Sequence, residues 1–204
     1  MPAVTVERVQ LVPPAEARDR GALVVLAGLF FVSGACGLVY QQLWLRELTL
    51  VFGVTVHAVA TVLAAFFAGL ALGSVVAGRY ADRTARPLHW YGLAEIVIGL
   101  LAVLSPLAFD GVERVYVAIA DVAPDSRWLL TGVRFVLAFA ALIVPATLMG
   151  ASLPLVMKSS LTRSDRLGHH VSVLYGANTT GAIFGTLVAG FVLIGRYGIV
   201  SSFR

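Results

Sequence analysis

Charge is scarce in this sequence. Of its 204 residues, 13% are charged and 59% hydrophobic, whereas a soluble domain, whose surface must be wetted, is nearer a quarter charged. The shortage excludes an ordinary water-soluble helical fold, because the long apolar runs lack the polar face such helices turn to water. Cysteine is almost absent too. The single Cys36 lies inside the first apolar run, which excludes a disulfide framework and a zinc-type cluster. Acidic residues are fewer than basic ones, 11 against 15, for a net charge of +4. The arginines sit beside apolar runs, where basic residues set membrane orientation, so no nucleic-acid partner is expected. A Ser-His-Asp set, a phosphate-binding glycine loop and Cys-His ligand spacing are all missing. No catalytic residue, metal site or cofactor is therefore expected.

What is there is a series of long apolar runs, each near the ~20 residues that cross a ~30 Å hydrocarbon core. They predict an all-α, polytopic membrane helix bundle with spans at about 21–40, 54–77, 88–108, 128–149 and 171–194. Residues 1–20 form a polar leader with a Pro13-Pro14 pair. The first run exceeds the roughly 7–15 apolar residues of a signal peptide and reads as a retained helix. Gln41 to Phe52 is amphipathic and suits an interfacial extension, with Trp44 at headgroup level. Pro87 suits the first turn of the third helix. Between Asp110 and Arg127, Val112, Val115, Tyr116 and Ile119 recur at helical spacing, predicting a short helix lying on the membrane. Pro145 and Pro154 fall near the end of the fourth span.

Orientation follows from the loops. Arg8, Arg18, Arg20, Arg79, Arg83, Arg86, Lys158, Arg163 and Arg166 share one side, against Arg46, Arg114, Arg127, Arg196 and Arg204 on the other. Nine against five predicts a cytoplasmic N-terminus in a cell (plasma or inner) membrane. Five spans would then place the C-terminus outside.

Glu95 and Arg134 are the charges deepest in the spans, and an intramembrane ionisable group is a functional candidate by default. They enter from opposite faces, so Arg134 is not expected to pair with Glu95 and can snorkel back to its own interface. Asn178 lies at the depth of Glu95 with Tyr175 a turn below. The three suggest a polar site for a cation or proton between helices three and five. The alternative is interhelical hydrogen bonding that only holds helices together. Gly69 and Gly73, and Gly181 and Gly185, are small residues four apart that let helices approach closely. His169 and His170 are adjacent, diverge by ~100° on a helix, and read as interfacial polar residues rather than metal ligands.

An internal repeat is also visible. Gly73 to Tyr80 and Gly190 to Tyr197 agree at five of eight positions, relating helix two to helix five as a three-plus-three inverted repeat would. A six-helix unit would then be one helix short, in line with the stop at Arg204. The loop Gly78-Arg79-Tyr80-Ala81-Asp82-Arg83-Thr84-Ala85-Arg86-Pro87 resembles the signature between helices two and three of the major facilitator superfamily, with Ala85 at the second glycine position. Gly78, Asp82, Arg83 and Arg86 are its structural residues. An aspartate there suits a helix N-terminus, and the arginines suit anionic headgroups or a helix C-terminus.

A resemblance covering more of the chain rests on four strings. They are Phe31-Val32-Ser33-Gly34-Ala35-Cys36-Gly37-Leu38-Val39-Tyr40, Ala64 through Ser74, Leu148-Met149-Gly150-Ala151-Ser152-Leu153-Pro154, and Leu174 through Ala182. They resemble the membrane-embedded spermidine synthase-like proteins, in which a major-facilitator-like membrane region precedes a cytosolic aminopropyltransferase-like domain. The resemblance implies a membrane region that anchors, or delivers a polyamine or related small molecule to, such a domain. The Gly-rich strand-turn-helix loop and acidic substrate residues of that domain are missing here, so no catalytic residue is carried over and catalysis by this chain alone is not expected. A cytosolic C-terminal domain would also need an even number of spans. The implied partners are the lipid bilayer, a soluble aminopropyltransferase-like domain, other membrane subunits or a second copy. A small transporter of a molecule or cation, or a structural subunit of a membrane complex, remain the other readings.

Overall fold

A computed structural model describes residues 15–52, 56–122, 127–159 and 167–196. Most of the leader, Arg163, Arg166, Tyr197 and Arg204 lie outside the described residues. Five long helices make up the rest: α1 (Ala15–Phe52), α2 (Val56–Ala81), α3 (Pro87–Val122), α4 (Arg127–Met157) and α5 (Leu167–Val188). A π-helical turn, Ala189–Leu193, carries α5 on to Arg196. All five helices are long and apolar enough to cross a membrane. This is a multi-pass membrane helix bundle.

The faces of α3 show why. Tyr91, Ala94, Ile98, Ala102, Ser105 and Phe109 recur every three to four residues and are buried. On the opposite face Ile96, Leu100, Val103 and Leu107 are 57–70% exposed. A helix apolar on both its packed and its open face is stable only where the open face meets lipid.

The helices outrun the spans expected from hydropathy. At 1.5 Å per residue α1 and α3 are about 57 and 54 Å long, well beyond a ~30 Å core. Gln41–Phe52 continues α1, as an extension of the span, and Trp44 is 1% exposed within a core cluster with Leu43, Leu48, Phe52 and Phe66 rather than open to a headgroup layer. Its indole Nε1 makes no hydrogen bond there. Likewise the stretch around Val112 continues α3, with Tyr116 buried and Val115 and Val117 each 47% exposed. Tyr116 is buried against Phe52, rings 5.3 Å apart and edge-on. Pro145 and Pro154 lie inside α4, which runs on to Met157.

Packing divides the bundle into two helix pairs, α1 along α5 and α2 along α4, with α3 leaning on α4. Glycine sets both close approaches. Gly181 and Gly185 face the backbone of Phe31 and Ala35, advancing by one turn on each helix, so α1 and α5 run parallel. In the other pair, Gly73 faces Thr147, Gly69 faces Ala146, and Gly150 faces Leu70.

The two pairs are built alike. Gly34 meets Asn178 as Gly150 meets Leu70, and Phe31 meets Gly181 as Thr147 meets Gly73. One register shift relates α1 to α4 and aligns Arg18 with Arg134, Ala22 with Ala138, Leu26 with Leu142, Gly34 with Gly150 and Ala35 with Ala151. The first half of α1 clusters with the second half of α4, and the reverse holds at the other end, so the repeat is inverted. Packing thus sets Gly73 opposite Gly181 in the repeat and not opposite Gly190, near which a side chain would meet open space. The end-of-helix match between Gly73–Tyr80 and Gly190–Tyr197 is in the wrong register.

Candidate functional site

Two apolar clusters close the bundle. One contains Leu43, Trp44, Phe66, Phe109 and Leu142, the other Leu26, Phe30, Tyr91, Leu155 and Leu174. The polar side chains gather in the layer between them. Ser33 Oγ donates to both oxygens of Glu95, at 3.0 and 3.1 Å, and Ser152 Oγ donates to Oε1 at 2.9 Å. Ser33 belongs to the α1–α5 pair and Ser152 to the α2–α4 pair. The carboxylate on α3 therefore ties the two pairs together.

Ser33 and Ser152 also line a cavity of about 310 Å³ that lies between the pairs. Ser74, Tyr175 and Asn178 add polar groups to its wall, while Phe30, Phe66 and Leu70 supply apolar ones. Tyr175 is 61% exposed and Ser74 is exposed, so the cavity opens to the outside of this chain. Small residues make the space: Gly34, Gly37 and Gly150 all line it.

The structure thus brings Asn178 and Tyr175 to one cavity, with Glu95 behind its serine wall. It does not make Asn178 the partner of Glu95. Among the described residues the hydrogen bonds to Glu95 come from Ser33 and Ser152, and Asn178 packs its backbone and amide oxygen against Gly34. The site is centred on α1 and α4 rather than between α3 and α5.

Arg134 sits at the other end. Its Nε and Nη2 donate to Tyr116 Oη at 2.9 and 2.5 Å, and the guanidinium lies 5.2 Å from the ring centre. From Glu95 to Tyr116 helix α3 rises about 31 Å, so the two deep charges occupy separate layers. Tyr116→Phe removes the acceptor of a charged donor and is expected to lower stability by about 1.5–3 kcal/mol. The check is the melting temperature in detergent.

The loop motif joins α2 to α3. Asp82 forms an ion pair with Lys158 at the end of α4. Arg83 N–H closes a turn on Tyr80 O at 2.9 Å, and Arg86 N–H reaches Thr84 Oγ1 at 3.4 Å. Both partners of the ion pair are more than half exposed. Asp82→Asn should therefore shift stability by less than about 1 kcal/mol. His169 is exposed, but His170 is 6% exposed with an Nδ1 that makes no hydrogen bond, so His170 is a packed residue rather than an interfacial one.

No family model and no solved structure matches the chain. A polyamine aminopropyltransferase of Streptomyces coelicolor, named polyamine aminopropyltransferase 2, is 31% identical over 179 residues. The match covers 85% of this chain and 30% of that protein, so the chain spans about a third of its relative's length. This bundle of five apolar helices is distantly related to part of that polyamine aminopropyltransferase.

Proposed function

We propose that the chain is the membrane region of a spermidine synthase-like protein and that it holds a small organic cation, a polyamine or related amine, for an aminopropyltransferase domain. The observation that carries this reading is the Glu95 carboxylate, gripped by Ser33 and Ser152 behind a cavity that also presents Asn178 and Tyr175. An acceptor-rich site between apolar plugs favours a positively charged amine, which brings donors and the opposite charge. The relative's name, polyamine aminopropyltransferase, supports an amine over other cations.

Inverted pairs around a mid-bundle site support a major-facilitator-like arrangement, in which binding sites lie at the repeat interface. Arg79, Arg83, Arg86 and Lys158 lie at one end, where Asp82 meets Lys158. That end is read as cytoplasmic, in a cell membrane, by the excess of arginine and lysine there.

Equilibrium binding of radiolabelled spermidine to the detergent-purified chain tests the proposal. Saturable binding that falls at least tenfold in Glu95→Gln supports it; that fall is about 1.4 kcal/mol. Absence of saturable binding by the unaltered chain would sink it and leave an anchoring role. Amine uptake into vesicles that depends on Glu95 would instead favour transport.

A further inference from the structure

A second cavity, independent of the Glu95 site, points to another ligand. We propose that the basic end of the bundle binds one anionic phospholipid, with an acyl chain between α2, α3 and α4 and the phosphate on a basic pocket above it.

The lower part is an apolar groove of about 280 Å³, with almost no polar surface. It exists because Gly73, Ala77, Ala94 and Ala151 are small. Its walls run from Gly73 to Tyr80 on α2, from Val97 to Trp90 on α3, and from Thr147 to Leu155 on α4. Each stretch rises about 10–12 Å, so the groove is elongated along the helix axes. The groove is long and lined by apolar side chains from three helices. It suits a single alkyl chain.

The mouth is amphipathic. Tyr80 and Trp90 meet edge-on there, ring centres 5.5 Å apart, and such aromatics favour the level of lipid headgroups. Beyond them the same three helix ends enclose a polar pocket of about 490 Å³, lined in part by Asp82, Arg86, His89 and Lys158. Asp82 neutralises Lys158 through their ion pair. Arg86 remains as net positive charge, with Arg79 and Arg83 exposed nearby. A basic pocket between helices, stacked on an apolar slot, fits an anionic headgroup and its tail.

The test is native mass spectrometry of the chain released from micelles holding equal phosphatidylglycerol and phosphatidylcholine of the same acyl length. The unaltered chain should retain one phosphatidylglycerol, preferred at least fivefold over phosphatidylcholine. Arg86→Gln should bring that preference towards one. Val97→Phe, which fills the floor of the groove, should cut retention of phosphatidylglycerol at least fivefold; Leu93→Phe does the same from a half-exposed wall if Val97→Phe fails to fold. Equal retention of the two lipids by the unaltered chain would overturn the proposal. So would phosphatidylglycerol retention unchanged in both phenylalanine variants, or a lipid-free dimer in place of the lipid-bound chain.

Discussion

Gly73→Leu and Gly181→Leu are each expected to keep the bundle from assembling. At either position a Cβ would fall inside the carbonyl of the facing helix, Thr147 for Gly73 and Phe31 for Gly181. A backbone cannot step aside as the tip of a side chain can, so the helices must separate along their length. Overpacking a well-fitted site costs about 1–3 kcal/mol and sometimes more. A backbone clash in the seam of each pair belongs at or above the top of that range. Gly190→Leu is the matched control: open space surrounds that position, and the change should stay within about 0.5 kcal/mol. Melting temperature and monodispersity in detergent report the contrast. Equal tolerance at Gly73 and Gly190 would contradict the register of the repeat.

Removing both serines should harm the site more than altering the carboxylate they hold. Ser33→Ala with Ser152→Ala leaves Glu95 in the middle layer without its two donors. Hydrogen bonds to a charged group are each worth about 1.5–3 kcal/mol, and stranding that group adds its desolvation. Glu95→Gln keeps an acceptor oxygen for the hydroxyls and should be milder in stability. Adding Glu95→Leu to the double-serine variant should restore part of the loss, because no carboxylate is then left unpaired. Groups in one network couple by about 0.5–3 kcal/mol, so the three changes should be non-additive by that much. Additive effects would mean that the serines and Glu95 do not act together. Amine binding should fall in each variant that lacks the Glu95 carboxylate, whatever its stability, which separates the stability role of the cluster from its ligand role.

The membrane class and the five helices were legible because hydropathy reports what a lipid-facing helix must be. The helix ends were not. Hydropathy measures the bilayer, whereas α1 and α3 continue wherever another helix covers them, as Trp44 and Tyr116 show. Glu95 stood out as a carboxylate within an apolar run, and the separation of Arg134 followed from counting residues inward from each face. Ser33 and Ser152 gave no signal. Hydroxyls in apolar helices usually bond to their own backbone, as Ser105, Thr180 and Thr186 do here, and nothing in the sequence marks the two that reach across. In the repeat Ser33 aligns with Met149 and Ser152 with Cys36, so the alignment does not pick them out either. The repeat is not a contiguous match at helix ends. It resides in residues spaced by four along one face, Ala22, Leu26 and Gly34 against Ala138, Leu142 and Gly150.

The central claim is that an amine occupies the cavity between the two helix pairs. Thiol protection tests it at the site itself. In a Cys36→Ser background, Tyr175→Cys places the only thiol at the exposed wall of the cavity, and Leu100→Cys places one on the lipid-facing side of α3. Spermidine should slow alkylation at position 175 at least fivefold, leave position 100 unchanged, and lose its effect when Glu95→Gln is added. Equal alkylation at position 175 with and without spermidine, in a chain that remains folded, would contradict an amine site between the pairs.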